Sequence, residues 1–492
     1  MGRGFSPDIL TSKPFPVPHS RDQTVDVDVE YLDANGDGVA HHRGLTLPIP
    51  FVIPGERVRV QPDRTGASLV SILRSSAHRV APKCRHFGPC GGCAWQHIAY
   101  PEQLKLKTAL VQRLVRDAVP AAPAVLETLA PVPPAADIPA PLDPNAPWGY
   151  RQKVHFVFGP GETRGAQRAG MLLMGHYARG SRRVVPVQEC PVHDERGNAV
   201  AFALKTSLDK ARVQAAAAAA PSRNRPTPRP GVLRSLAVRV AARTNELQTT
   251  VVITDDSDKA LRTATKRLLN SAAAPTSLHI NLHPRPDAFI FGPDTRRIAG
   301  ESRLREEVAG TVFLISPTAF FQTNVRAAEM LVHLVMSAIP TAAPVLDLYA
   351  GAGLFALPLA RAGHRVTAVE ENRAAVADGE ASRRLNRIAE TECRFVAQPV
   401  EAVLRRLTSA DVVVLDPPRD GCSEMVLEEL CRLQPTRMVY VSCNPEALAR
   451  DLAILTRDGF RLVSIQPVDM FPHTAHVETV VTLTRTPYSS RF

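Results

Sequence analysis

No stretch of the 492-residue sequence approaches the ~18 consecutive apolar residues that a bilayer-crossing helix needs, and no apolar leader segment follows Met1. Membrane spanning and secretion are not expected, and a cytoplasmic setting is. A secreted disulfide pattern is also lacking. The eight cysteines are Cys84, Cys90, Cys93, Cys190, Cys393, Cys422, Cys431 and Cys443. Four are grouped or motif-like and four are scattered through the last third, which reads as metal ligands, a nucleophile or reduced thiols. The net charge of +11 has no single basic block behind it. It favours a polyanionic partner only weakly, because spread arginine also follows from coding bias.

Residues 1–20 are polar and proline-containing and read as a tail. From 21 to 77 short alternating patterns follow, with Val25, Val27 and Val29 on one face and Val58 and Val60 on another. Asn35–Gly38 and Pro54-Gly55 punctuate them as turns, so a small OB-like β-barrel is expected. The run GDGVAHHRGLTLPIPFVIPGERVRV resembles a TRAM domain. That resemblance implies RNA binding, with Arg43, Arg57 and Arg59 carried on loops towards phosphate. A central α/β domain is expected from 78 to 318. It opens with Cys84-x5-Cys90-x2-Cys93, whose flanking glycines let the backbone wrap a compact centre. Cys190 is the best candidate for a fourth ligand. Four cysteines suit a [4Fe–4S] cluster or structural zinc, and His86, His97 and His193 offer mixed zinc ligation.

Residues 101–118 read as an amphipathic helix with Leu106, Leu110 and Leu114 as its stripe and Lys105, Lys107, Arg113 and Arg116 outside it. Alanine- and proline-rich stretches at 119–147 and 213–230 read as insertions or linkers. Arg151, Lys153, Arg179, Arg182 and Arg183, around Tyr150, His155 and Tyr177, form a basic stretch that either lines an RNA groove or is simply solvated.

In residues 319–492 apolar strands alternate with helical patterns, which predicts an α/β fold with a doubly wound sheet of the methyltransferase type. Asp347-Leu-Tyr-Ala-Gly351-Ala-Gly353 follows the first strand, and Glu370 ends the second, where a carboxylate can take both ribose hydroxyls. Position 356 is Ala, so the full dinucleotide fingerprint is missing and S-adenosylmethionine suits the turn better than NAD. Asp416-Pro-Pro-Arg419 ends the fourth strand, and Glu478 interrupts an apolar strand. Val439–Asp451 reads VYVSCNPEALARD, which places Cys443 between a strand end and a helix capped by Asn444 with Pro445 first. A thiol there is expected to be acidified by the helix amides.

The runs SPTAFFQTN, VLDLYAGAGLFALPLA, VLDPPRDG, YVSCNPEALARDL and DMFPHTAHVETV resemble the RNA uridine-5-methyltransferase family of the TrmA/Rum type. With TRAM and four cysteines, the resemblance is to the branch that acts on 23S rRNA rather than on tRNA. It implies S-adenosylmethionine as methyl donor, Cys443 as nucleophile towards uracil carbon 6, and Glu478 as the base at carbon 5. It also implies cofactor contacts from Gln322, Tyr349, Gly351, Glu370 and Asp416, and a [4Fe–4S] cluster on Cys84, Cys90, Cys93 and Cys190. Ala350, Leu354 and Pro399 depart from the family pattern. The competing readings are the same reaction on tRNA, and an RNA-binding iron–sulfur protein without catalysis.

Overall fold

The computed structural model describes residues 24–130, 147–161, 172–216, 231–285, 289–340 and 343–485. The tail at 1–20 and most of the two insertions, 131–146 and 217–230, lie outside the described residues. The chain divides into two compact units, Met1–Val80 and Ala81–Phe492.

In the first unit, Val25–Asp28, Arg57–Pro62 and Ala67–Arg74 form one three-stranded sheet, and Tyr31–Leu32, Gly38–His42 and Leu45–Ile49 form another. Period-2 alternation turns Val27, Val58 and Val60 into a shared core with Ile49 and Val52. Gly38 sits where a Cβ would collide with Val52 and Val29, so the close strand crossing requires glycine there. Arg57 and Arg59 do not lie on loops, as the sequence suggested. They stand on a strand and pair across the ladder with Asp28 and Asp26, at 3.1 and 2.7 Å. Their register partners are acidic, so cross-strand pairing competes with any phosphate for these two guanidiniums.

In the second unit, a seven-stranded sheet runs, edge to edge, through Asp294–Ala299, Ser277–Leu282, Leu247–Ile253, Leu233–Val240, Lys153–Pro160, Leu172–Tyr177 and Val184–Pro186. The helices Glu195–Ala211 and Lys259–Leu269 contribute Leu204, Leu208, Leu261 and Leu268 to its core.

The second sheet of this unit has the order Cys393–Val396, Arg365–Val369, Pro344–Leu348, Val412–Leu415, Arg437–Ser442, Glu478–Arg485 and Phe460–Val468. The first five are parallel, Glu478–Arg485 runs antiparallel to them, and Phe460–Val468, antiparallel to that strand, runs in the direction of the first five. Strands buried on both faces read as continuous apolar runs, which is why Val412–Leu415 and Met438–Val441 contain no alternation. Order reverses between Pro344–Leu348 and Val412–Leu415, which places a crevice at their carboxyl ends. A surface cleft lined by Pro344, Arg365, Arg394 and Asp411 lies at the opposite, amino-terminal ends.

The segment after residue 118 is not wholly a linker. Val119 and Val125 are buried in the core of this sheet, and Leu126 and Leu129 donate backbone N–H groups to Ile465 and Pro467 at 3.0 Å. Its alanines and prolines suggested solvation, but an unpaired sheet edge supplied backbone partners. Likewise Val213 and Ala215 are buried, so the second insertion begins later than its composition suggested. Among the described residues no helix is long and apolar enough to cross a membrane.

Candidate active site

Pairing between Arg437–Ser442 and Glu478–Arg485 ends with Ser442 opposite Thr479. The next residues outward are Cys443 and Glu478, so the ladder itself sets the thiol and the carboxyl side by side at the open end of the sheet. Val412–Leu415 is the other neighbour of the Cys443 strand, and it delivers Asp416. Asn444 caps the helix Pro445–Arg457 by accepting from the Glu446 N–H at 3.1 Å. Its Nδ2 donates to the Arg419 carbonyl at 2.9 Å, which ties the DPPR loop to the Cys443 turn.

Burial dominates the electrostatics. It raises Glu478 to about 8, with the Asp416 carboxyl adding and Arg419 opposing. It raises Asp416 to about 7. The surroundings of Cys443 oppose the acidification expected from the helix amides. Burial, then Glu478 and Asp416, push the thiol up to about 11, against Arg419. Two carboxyls and desolvation outweigh the helix amides, whose effect is confined to about one turn.

A second group of carboxyls surrounds the glycine turn. Tyr349, Gly351 and Gly353 all take positive φ, at 62°, 56° and 87°. The Glu370 carboxylate accepts from the Gly351 N–H at 3.0 Å and from the Asn372 N–H at 2.8 Å, so it braces the turn. Tyr349 leans towards Cys422, and burial holds its phenol protonated. Gln322 is buried just before the helix Val325–Ala338, whose cap Asn324 donates to the Met470 carbonyl at 3.0 Å. Asp347, which opens the motif, joins these carboxyls, although nothing in the sequence marks it as a site residue. It is fully buried, no hydrogen bond of ordinary geometry reaches its two oxygens, and desolvation followed by Asp416 and Glu370 raises it well above the carboxylate range. Only the amide of Ala356, at the next helix, opposes this. A buried acceptor left open in this way marks a place for an N–H or cationic ligand.

The four cysteines named from sequence are gathered by the fold. Burial, then Cys190 and Cys90, push Cys93 up to about 12, and burial with Cys90 and Cys84 raises Cys190 to about 11. Thiols perturb one another only at close range. The Gly92 N–H points at the Cys90 sulfur at 3.4 Å, and a Cβ on Gly91 would lie 2.9 Å from the Tyr177 carbonyl. Among the described residues no three His, Cys, Asp or Glu side chains are arranged to hold one metal ion. His193 instead pairs with Asn198 at 3.2 Å, and His86 accepts from the Gln188 N–H at 3.3 Å.

The TRAM domain profile matches residues 20–62, and that of tRNA (Uracil-5-)-methyltransferase matches residues 243–486. An RNA methyltransferase of Gloeobacter violaceus is 37% identical over 94% of this chain and 97% of its own length. The chain belongs to the TrmA-type RNA uracil-5-methyltransferase family. An RNA methyltransferase of Thermosynechococcus vestitus, 35% identical, covers 94% of this chain and 98% of its own. The crystal structure of the Pyrococcus abyssi tRNA (uracil-54, C5)-methyltransferase with S-adenosyl-L-homocysteine is similar over 93% of this chain and 99% of its own, with a TM-score of 0.70 at 25% identity. As a family member the protein is an S-adenosylmethionine-dependent RNA methyltransferase.

Proposed function

We propose that the protein methylates carbon 5 of one uridine in 23S rRNA through a covalent Cys443 adduct. The single observation behind the chemistry is the ladder end that sets Cys443 beside Glu478, with Asp416 on the neighbouring strand. Carbon 5 of uracil is a weak nucleophile. Addition of the Cys443 sulfur to carbon 6 converts the ring to an enolate whose carbon 5 would take the donor methyl, its bond to the sulfonium sulfur breaking and the donor leaving as the neutral thioether. Glu478 then takes the carbon 5 proton, the 5,6 double bond re-forms, and Cys443 leaves as thiolate. S-adenosylmethionine, when bound, supplies an electrophilic methyl on a sulfonium, and that positive charge favours the ionised forms of Cys443 and Asp416. Gln322, Tyr349, Gly351, Glu370 and Asp416 line the donor side. The open Asp347 carboxyl fits the ammonium of the donor's amino-acid part.

The donor set of Cys84, Cys90, Cys93 and Cys190 fits a [4Fe–4S] cluster better than zinc. The chemistry is all thiol, the sulfurs sense one another, and two of the nearby histidines, His193 and His86, are hydrogen-bonded to Asn198 and Gln188. Such a cluster would pin the Cys84–Cys93 loop to Cys190.

A four-cysteine set alongside TRAM supports rRNA over tRNA. The named activity of the Pyrococcus abyssi enzyme supports the second reading, the same reaction on tRNA. Nucleoside mass spectrometry on 23S rRNA and tRNA from cells with and without the gene decides between them. Loss of 5-methyluridine from 23S rRNA is expected. Loss from tRNA alone replaces the substrate, and no loss in either removes the reaction.

A further inference from the structure

The loop that leads into the strand beginning at Glu478 is gripped by one buried ammonium. Lys107 is fully buried, and its Nζ lies 2.5 Å from Asp469 Oδ1, 3.2 Å from the Phe471 carbonyl and 2.7 Å from the His476 carbonyl. A lysine has three donors, and all three are used. These acceptors span both ends of the loop at 469–477, between the strands Phe460–Val468 and Glu478–Arg485. Adjacent antiparallel strands need a loop of only about 2–5 residues. This one is longer, and its shape has to be imposed.

The imposing face belongs to the helix Tyr100–Ala118. Tyr100, Gln103 and Lys107 recur at helical spacing on one face. The Tyr100 hydroxyl donates to Asp469 Oδ2 at 2.8 Å, and Gln103 Oε1 accepts from the His473 N–H at 2.9 Å. From the other side, the Ala94 and Trp95 N–H groups donate to the His473 carbonyl at 3.0 and 2.9 Å, and the Tyr150 hydroxyl donates to the Pro472 carbonyl at 3.0 Å. Trp148 stacks on the His473 ring at 4.0 Å. Burying an ion pair costs several kcal/mol per ion before its contacts offset this, and apolar side chains could fill the space at less cost. An apolar side chain could not hold a carboxylate and two carbonyls at one point.

We propose that Lys107 is a positioning residue for Glu478: by fixing the carbonyls of Phe471 and His476 it places the Glu478 carboxylate against the carbon 5 proton of the methylated adduct. This rests on the function proposed above. Without the grip, sulfur addition and methyl transfer proceed, while proton removal, which restores the 5,6 double bond and expels Cys443, slows.

The test is single-turnover kinetics on the full-length protein with the RNA that loses 5-methyluridine in cells. Adduct formation and adduct breakdown are followed separately on denaturing gels, with Glu478→Gln defining the trapped adduct. Lys107→Met is expected to slow breakdown by about 100-fold, the size of effect a small misplacement of a reacting group produces. The adduct formation rate and the KM for RNA should stay within about twofold. Asp469→Asn preserves shape and is expected to slow breakdown in the same direction, by less. It carries the test alone if Lys107→Met does not fold. Equal losses in formation and breakdown, a wild-type breakdown rate in a folded variant, or failure of both variants to fold assigns Lys107 to structure only and overturns the proposal. Wild-type protein that forms no adduct and no 5-methyluridine would instead sink the underlying function, and a Glu478→Gln protein with normal turnover would sink the role of Glu478.

Discussion

The Tyr440 hydroxyl donates to Asp451 Oδ2 at 2.6 Å, joining the strand that ends at Cys443 to the helix that follows it. Asp451 is fully buried, and it also accepts from the Cys422 N–H at 2.8 Å and from Arg450 Nη2 at 2.6 Å. The turn carrying Cys443 is therefore clamped from both arms, and the DPPR loop is drawn in through Cys422. Tyr440→Phe removes one donor to a buried charge. A loss of about 1.5–3 kcal/mol is expected, read as a lower urea midpoint with an unchanged slope.

Cys443→Ala should abolish both the covalent RNA adduct and methyl transfer. S-adenosylmethionine binding, followed by calorimetry, should persist, because the glycine turn and Glu370 lie on other strands. Retained methylation in this variant would point to chemistry that needs no thiol.

Arg419 opposes the upward shifts of both Cys443 and Glu478. Arg419→Met therefore lets both rise further. The acidic limb of kcat/KM against pH should move to higher pH, because ionisation of each group then requires a lower proton concentration. An unmoved limb would show that neither group controls it.

Glu478 keeps its proton up to about pH 8 in the folded protein, whereas its ordinary value is 4.5. Between those values the folded state binds more protons than the unfolded chain, so stability falls as pH rises. Glu478→Gln removes this slope. The variant should gain on wild type progressively from pH 5 to pH 8 in denaturant titrations. The same variant should accumulate the covalent adduct, since its amide cannot take the carbon 5 proton.

Protein purified without oxygen should contain iron and sulfide in equal amounts, and Cys93→Ser should lose both. Zinc without sulfide would replace the cluster by a structural ion.

Much of the catalytic sheet was legible because each signal was local. The run VYVSCNP carries its own strand, cap and helix start, and the structure begins the helix at Pro445 and caps it with Asn444. The strand expected over 412–415 is observed over Val412–Leu415. Cys190 was offered from sequence as the best partner for the cysteine triplet, but no spacing rule reaches from Cys93 to Cys190, and its nearness to the other thiols comes from the fold. Lys107 is buried where the sequence pattern suggests a solvated position. Its neighbours Leu106, Leu110 and Leu114 suggested a stripe that excluded it, whereas the buried face is Tyr100, Gln103, Lys107, Leu110, Val111 and Val115. A lysine is assigned to solvent by its charge, and nothing within a helical turn announces a partner 362 positions away.

The sequence by itself determined the periods, caps and turns, and with them the two-sided sheet and the placing of Cys443 and Asp416 at strand ends; Glu478, which the sequence set inside an apolar strand, begins that strand in the structure. These depend on contacts between residues a few positions apart. The tertiary structure alone decided the state of those groups. Whether Cys443 is a thiol or a thiolate depends on how much water burial removes and on which carboxyls arrive from other strands. Whether Lys107 is solvated or gripping the Glu478 loop depends on a helix and a loop meeting across the whole second unit. Desolvation and long-range charge pairing have no period along a chain, so no local pattern encodes them.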